Sequence, residues 1–96
     1  SAGITIATAI YSAINKVKVS NKVAMTGEIS LLGEVKPIGG VNAKINAAQK
    51  AGATKVIIPI ENWKDSFKDI AGIKVIAVKS LNEVIEEAIL KDVIVE

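Results

Sequence analysis

The chain has 96 residues, half of them apolar, with a mean hydropathy of +0.41 and a single Trp, Tyr and Phe, so its core must be built from Ile, Val, Leu and Ala. A formal net charge of +2, with acids and bases interspersed, lacks the clustered basic face of a nucleic-acid binder, and no run approaches the ~18 apolar residues of a membrane span. The absence of Cys and His excludes disulfides, thiolate nucleophiles, the usual zinc sites and a Ser-His-Asp triad built from this chain. The first residues lack the charged start and apolar stretch of a signal peptide, so a cytoplasmic protein is expected.

Taken in order, Gly3–Asn15 reads as a helix, with Ile4, Ala7, Ile10, Tyr11 and Ile14 at helical spacing. Residues 22–32 read as one strand interrupted at Gly27, a position for a bulge or a close backbone approach. Gly33 turns the chain, and residues 34–38 form a second extended piece, giving a hairpin closed by Pro37 and Gly39-Gly40. Val41–Lys50 is the next helix, stopped by Gly52. Lys55–Pro59 is an apolar strand buried on both faces. A short helix over 62–68 and a strand over 73–78 follow. Ser80 and Glu83 form a capping box that opens a helix carrying Leu81, Val84, Ile85, Ala88 and Ile89 inward. The tail 93–96 is short and apolar. Alternation of strand and helix after Gly40 predicts parallel strands. The fold class is α/β: a mixed sheet with helices packed on it.

One residue sits oddly in this pattern. Lys44 follows Val41 by three residues and precedes Ala48 by four, so it projects from the apolar stripe Val41, Ile45, Ala48 and Ala51. A lysine there can snorkel or pair with a carboxylate. Alternatively, burial disfavours its ammonium form, and an uncharged lysine can take a proton from a hydroxyl. Two hydroxyls are candidates. Ser1 precedes a helix whose first residues, Ala2 and Gly3, leave room for a substrate carbonyl, and helix-start N–H groups favour an oxyanion. Thr26 stands beside the strand break. Taken alone, Ser1 reads as a helix cap and Thr26 as a β-former.

Several blocks together carry a resemblance. Ser1-Ala2-Gly3-Ile4-Thr5, Val23-Ala24-Met25-Thr26-Gly27-Glu28-Ile29, Gly33-Glu34-Val35-Lys36-Pro37-Ile38-Gly39-Gly40-Val41, Lys44, Ala47-Ala48, Ala51-Gly52 and Val56-Ile57-Ile58-Pro59 occur in order. Through them the chain resembles the proteolytic domain of the Lon proteases, in strong blocks to Pro59 and more weakly beyond. The resemblance implies the Lon-type (ribosomal protein S5 domain 2-like) fold, with residues 1–96 as the C-terminal part of a single proteolytic domain, incomplete without an upstream segment. It implies a serine endopeptidase with Ser1 as nucleophile, Lys44 as general base and Thr26 positioning the lysine. Val41-Asn42-Ala43, between Gly40 and Lys44, is closer to the archaeal-type members than to the bacterial ones.

The resemblance further implies an unfolded or flexible polypeptide substrate and a homo-oligomer. The high apolar fraction favours a companion chain carrying the upstream strands over the alternative, in which only this half exists and leaves an open apolar face. No metal or cofactor is expected in this chain. ATP would act only through an ATPase domain, because no phosphate-binding loop is present. Two other functions fit less of the pattern: a Lon-like assembly or binding module without catalysis, and a structural α/β protein in which Lys44 merely snorkels.

Overall fold

Lys55–Pro59 organises the molecule. In the computed structural model, which describes residues 2–90, this segment is the central strand of the larger sheet. Its alternation splits the core. Val56 and Ile58 point to one face, joining Val41, Ile45 and Ala48 with Phe67, Ile73 and Val75. Ile57 points to the other, joining Ile4, Val35, Val78, Val84 and Ala88. Period-2 alternation on a strand covered on both sides produces two small cores.

The elements run α1 (Gly3–Asn15), β1 (Val23–Met25), β2 (Glu28–Ile29), β3 (Val35–Lys36), α2 (Val41–Lys50), β4 (Lys55–Pro59), two 3₁₀ turns (Ile60–Asn62 and Asp65–Asp69), β5 (Lys74–Val78) and α3 (Leu81–Ala88). The larger sheet has the order β1-β4-β5 and is parallel throughout, with Val23 opposite Lys55 and Lys55 opposite Lys74. The antiparallel pair β2-β3 is a separate small sheet. It is fastened to the β5–α3 junction, where Val35 N–H donates to Lys79 O (3.0 Å) and Leu81 N–H to Gly33 O (3.0 Å). The mixed α/β class, the hairpin and the parallel pairing thus agree with expectation.

Four details differ. The strand expected over 22–32 is two strands in two sheets, because the chain leaves β4 after Thr26. The helix expected over 62–68 is a pair of 3₁₀ turns. On α1, the fully covered residues are Ile4 and Thr8, while Ile10 and Ile14 are exposed at 55% and 73%. That helix carries two apolar stripes, and helical periodicity does not say which is covered. The Thr8 hydroxyl needs no outside partner, since it donates to Ile4 O at 2.7 Å. Finally, the capping box reaches one residue further back than Ser80. Ser80 Oγ accepts from Glu83 N–H (3.3 Å), and Glu83 Oε1 accepts from Lys79 N–H (2.6 Å). Ser80→Ala is expected to cost about 1 kcal/mol, measurable as a lowered urea midpoint with an unchanged m-value. The tail 93–96 lies outside the described residues, as does Ser1.

Candidate active site

A cleft of about 380 Å³ opens between the first turn of α1, the end of β1 and one flank of α2. Local sequence explains why these three meet. Gly3 lets α1 lie directly on β2: a Cβ there would sit 3.0 Å from the Ile29 nitrogen and 3.3 Å from Glu28 Cα. Ile4 N–H donates to Gly27 O at 3.1 Å, which ties the same turn to the end of β1. α2 turns Val41, Ile45 and Ala48 onto the sheet. Lys44 lies about 60° around the helix from Val41, on the flank that borders the cleft together with Ala47. Ala2, Ala24 and Ala47 give the walls little more than methyl groups, with Val56 behind them.

Thr26 is the unusual group. Its N–H donates to Ile57 O (3.0 Å), carrying the β1–β4 pairing one residue past the strand. The residue is only 5% exposed, and among the described residues its Oγ1 has no hydrogen-bond partner. An orphaned buried hydroxyl costs about 1–3 kcal/mol, and such groups call for an explanation beyond packing. Here the hydroxyl belongs to the residue that lines the cleft with Lys44.

Lys44 itself requires a correction. The pattern places it within the apolar stripe, yet the residue is exposed. It stands at the edge of the stripe, where an i+3 step overshoots the covered arc, and the cleft beside it is open. Its backbone N–H donates to Gly40 O at 3.1 Å, inside regular helix. Lys44 and Thr26 therefore share one cleft. Ser1 lies outside the described residues; the adjoining Ala2 lines the cleft. No set of three His, Cys, Asp or Glu side chains that could hold a metal occurs among the described residues. No helix among them is long and apolar enough to cross a membrane.

Asn62 is a residue that sequence reasoning passes over. Its Oδ1 accepts from Ile38 N–H and its Nδ2 donates to Ile38 O, both at 2.9 Å. Nothing local signals a side-chain clasp onto a backbone 24 residues away.

Comparison with known proteins adds a family. The model of the Lon protease (S16) C-terminal proteolytic domain matches residues 1–91. The chain is 58% identical to Lon protease 2 of Bacillus subtilis over 94% of its own length and 16% of that protein. It is 50% identical to the Lon protease of Syntrophomonas wolfei, over 95% of the chain and 12% of that protein. It is also 50% identical to the archaeal Lon protease of Archaeoglobus fulgidus, over 93% of the chain and 15% of that protein. The similarity thus runs along almost the whole chain, reaches both bacterial and archaeal proteins, and spans less than a fifth of each relative's length.

Proposed function

We propose that this chain, which belongs to the Lon protease (S16) C-terminal proteolytic-domain family, supplies nucleophile and base to a serine endopeptidase that cuts unfolded or flexible polypeptide. Residues 1–96 are then the C-terminal part of a single proteolytic domain. The observation that supports this most is the buried Thr26 hydroxyl, which has no hydrogen-bond partner among the described residues, in one cleft with Lys44 and with Ala2, the residue bonded to Ser1.

The chemistry follows from the groups. Uncharged Lys44 Nζ takes the proton of Ser1 Oγ as that oxygen attacks the peptide carbonyl carbon. The first turn of α1 borders the cleft, and its N-terminal end favours the oxyanion of the tetrahedral intermediate. Lys44 returns the proton to the departing amine, leaving an acyl ester on Ser1. Water then attacks the ester, giving its proton to Lys44, and Ser1 regains its hydrogen. In the working site Lys44 Nζ turns to donate to Thr26 Oγ1, which then holds the amine in line between serine and substrate. Nucleophile and base are both side chains of this chain. In this reading, substrate and neighbouring protein lie over the open cleft.

Such covering protein also suits the surface. Ile6, Ile10 and Ile14 make one exposed stripe along α1, and Leu31 and Leu32 stand bare at the tip of the β2–β3 hairpin. Exposed apolar area of this kind marks contact surfaces. We assign the α1 stripe to the upstream part of the proteolytic domain, and further apolar surface to contacts between copies in an oligomer.

A peptidyl phosphonate tests the central claim in the native protein. Intact-mass and peptide mapping are expected to find one adduct, on Ser1, and none in Lys44→Ala. Equal labelling of Ser1 in Lys44→Ala would overturn the lysine as base, and labelling elsewhere only would leave a Lon-like assembly module as the better reading.

A further inference from the structure

We infer that Asn62 is a positioning residue for the proposed reaction: its side-chain amide clasps the backbone N–H and C=O of Ile38 and thereby fixes where α2 begins and where Lys44 points. This rests on the Ser1–Lys44 reading above.

The argument starts from the loop that precedes α2. Pro37 is followed by Ile38, then by Gly39 and Gly40, and Val41 opens the helix. Gly40 adopts a left-handed φ of 69°, and a Cβ on either glycine would meet nothing within 4 Å. The space beside both residues is open on the Cβ side, and glycine adds no restraint of its own. Lys44 is one helical turn beyond, its N–H bonded to Gly40 O. A swivel at the glycine pair would turn the helix start and displace the lysine with it.

Asn62 restrains the last residue ahead of that swivel. Its two bonds, both 2.9 Å, satisfy the Ile38 N–H and C=O together, as a neighbouring strand would. Only an amide offers donor and acceptor in that geometry at neutral pH. The clasp has a firm base, because the Ile60–Asn62 turn follows Pro59, which is fully buried at the end of β4. β4 also pairs with β1 and, through Ile57 O, with Thr26 N–H. Asn62 thus refers the lysine's helix to the strand that holds the threonine.

Misplacing a catalytic group by about 1 Å costs up to about 10²-fold in rate. In the native protein, Asn62→Ala is expected to lower kcat about tenfold with KM within about twofold. Asn62→Asp keeps the acceptor and loses the donor, and is expected to fall between Asn62→Ala and wild type. Val84→Ala, in the core beneath α3 and away from the clasp, provides a variant that loses stability alone. At temperatures where all variants are folded, it is expected to keep its kcat. Asn62→Ala retaining kcat within about twofold, or Val84→Ala losing as much as it does, would overturn the inference. If Asn62→Ala does not fold, Asn62→Asp decides: a wild-type kcat overturns the proposal, a reduced kcat with unchanged KM supports it. Activity surviving in Lys44→Met would instead strike the dyad reading itself.

Discussion

Lys44→Arg is expected to abolish peptide hydrolysis, lowering kcat by about 10³-fold or more, while the protein stays folded. The substitution is sharp because it preserves nearly everything except the ability to give up a proton. Arginine keeps N–H donors on a stem of similar length and a similar helix propensity, so any ion pair or hydrogen bond that the lysine donates can be made again. A guanidinium stays protonated at all working pH values and cannot serve as a base. The position is exposed, so the larger head group meets no packed wall. The measurements are kcat on an unstructured fluorogenic peptide and a thermal melt on the same sample. Turnover within about tenfold of wild type would show that the amine is not the base.

Thr26→Val is expected to separate activity from stability in opposite directions. Valine has almost the shape of threonine, so the 5% exposed site remains filled. What disappears is a hydroxyl with no partner among the described residues. Removing it relieves a desolvation penalty, and stability is expected to hold or rise by about 1 kcal/mol. Activity is expected to fall about 10²-fold in kcat, because the lysine loses the oxygen that holds its amine in line. Thr26→Ser, which keeps that oxygen, is expected to retain most of the rate. Chemical denaturation and steady-state kinetics on the three proteins check this. Parallel losses of stability and activity in Thr26→Val would mean that the threonine serves packing alone.

These two residues also show how far the sequence could be read. Val41–Lys50 and Lys55–Pro59 are legible to the residue because local and tertiary signals agree there. The helix carries one apolar stripe and ends in a C-terminal motif in which Gly52, at φ 92°, donates to Gln49 O (3.1 Å) and Ala53 to Ala48 O (3.0 Å). The strand is a short apolar run bounded by Thr54 and a proline. Thr26 and Lys44 are visible as hydroxyl and amine at telling positions, and the order of motif blocks pairs them.

Other features depend on contacts that no local window contains. The break between β1 and β2 arises because β1 follows β4 while β2 follows β3, and residues 22–32 alone do not reveal two different partners. Lys44 lies outside the covered arc by a fraction of a turn, too little for spacing to resolve. Ile10 and Ile14 fit the helical period as well as Ile4 does, yet α3 and β2 cover only one side of α1. Asn62 acts through a backbone partner distant in the chain.

The bond from Ile4 N–H to Gly27 O bears on how the cleft could open and shut. It welds the first turn of α1 to the peptide just past Thr26, and Gly3 leaves no slack against Ile29. One jaw is therefore a single stiff piece that contains Ala2 and the threonine. The opposing jaw is α2, mounted on a pair of unhindered glycines and steadied by Asn62. If the proposed reaction holds, accommodation of a peptide falls to the lysine's side, and changes in linker stiffness at Gly39 and Gly40 are expected to tune turnover without disturbing the Ala2 end of the cleft.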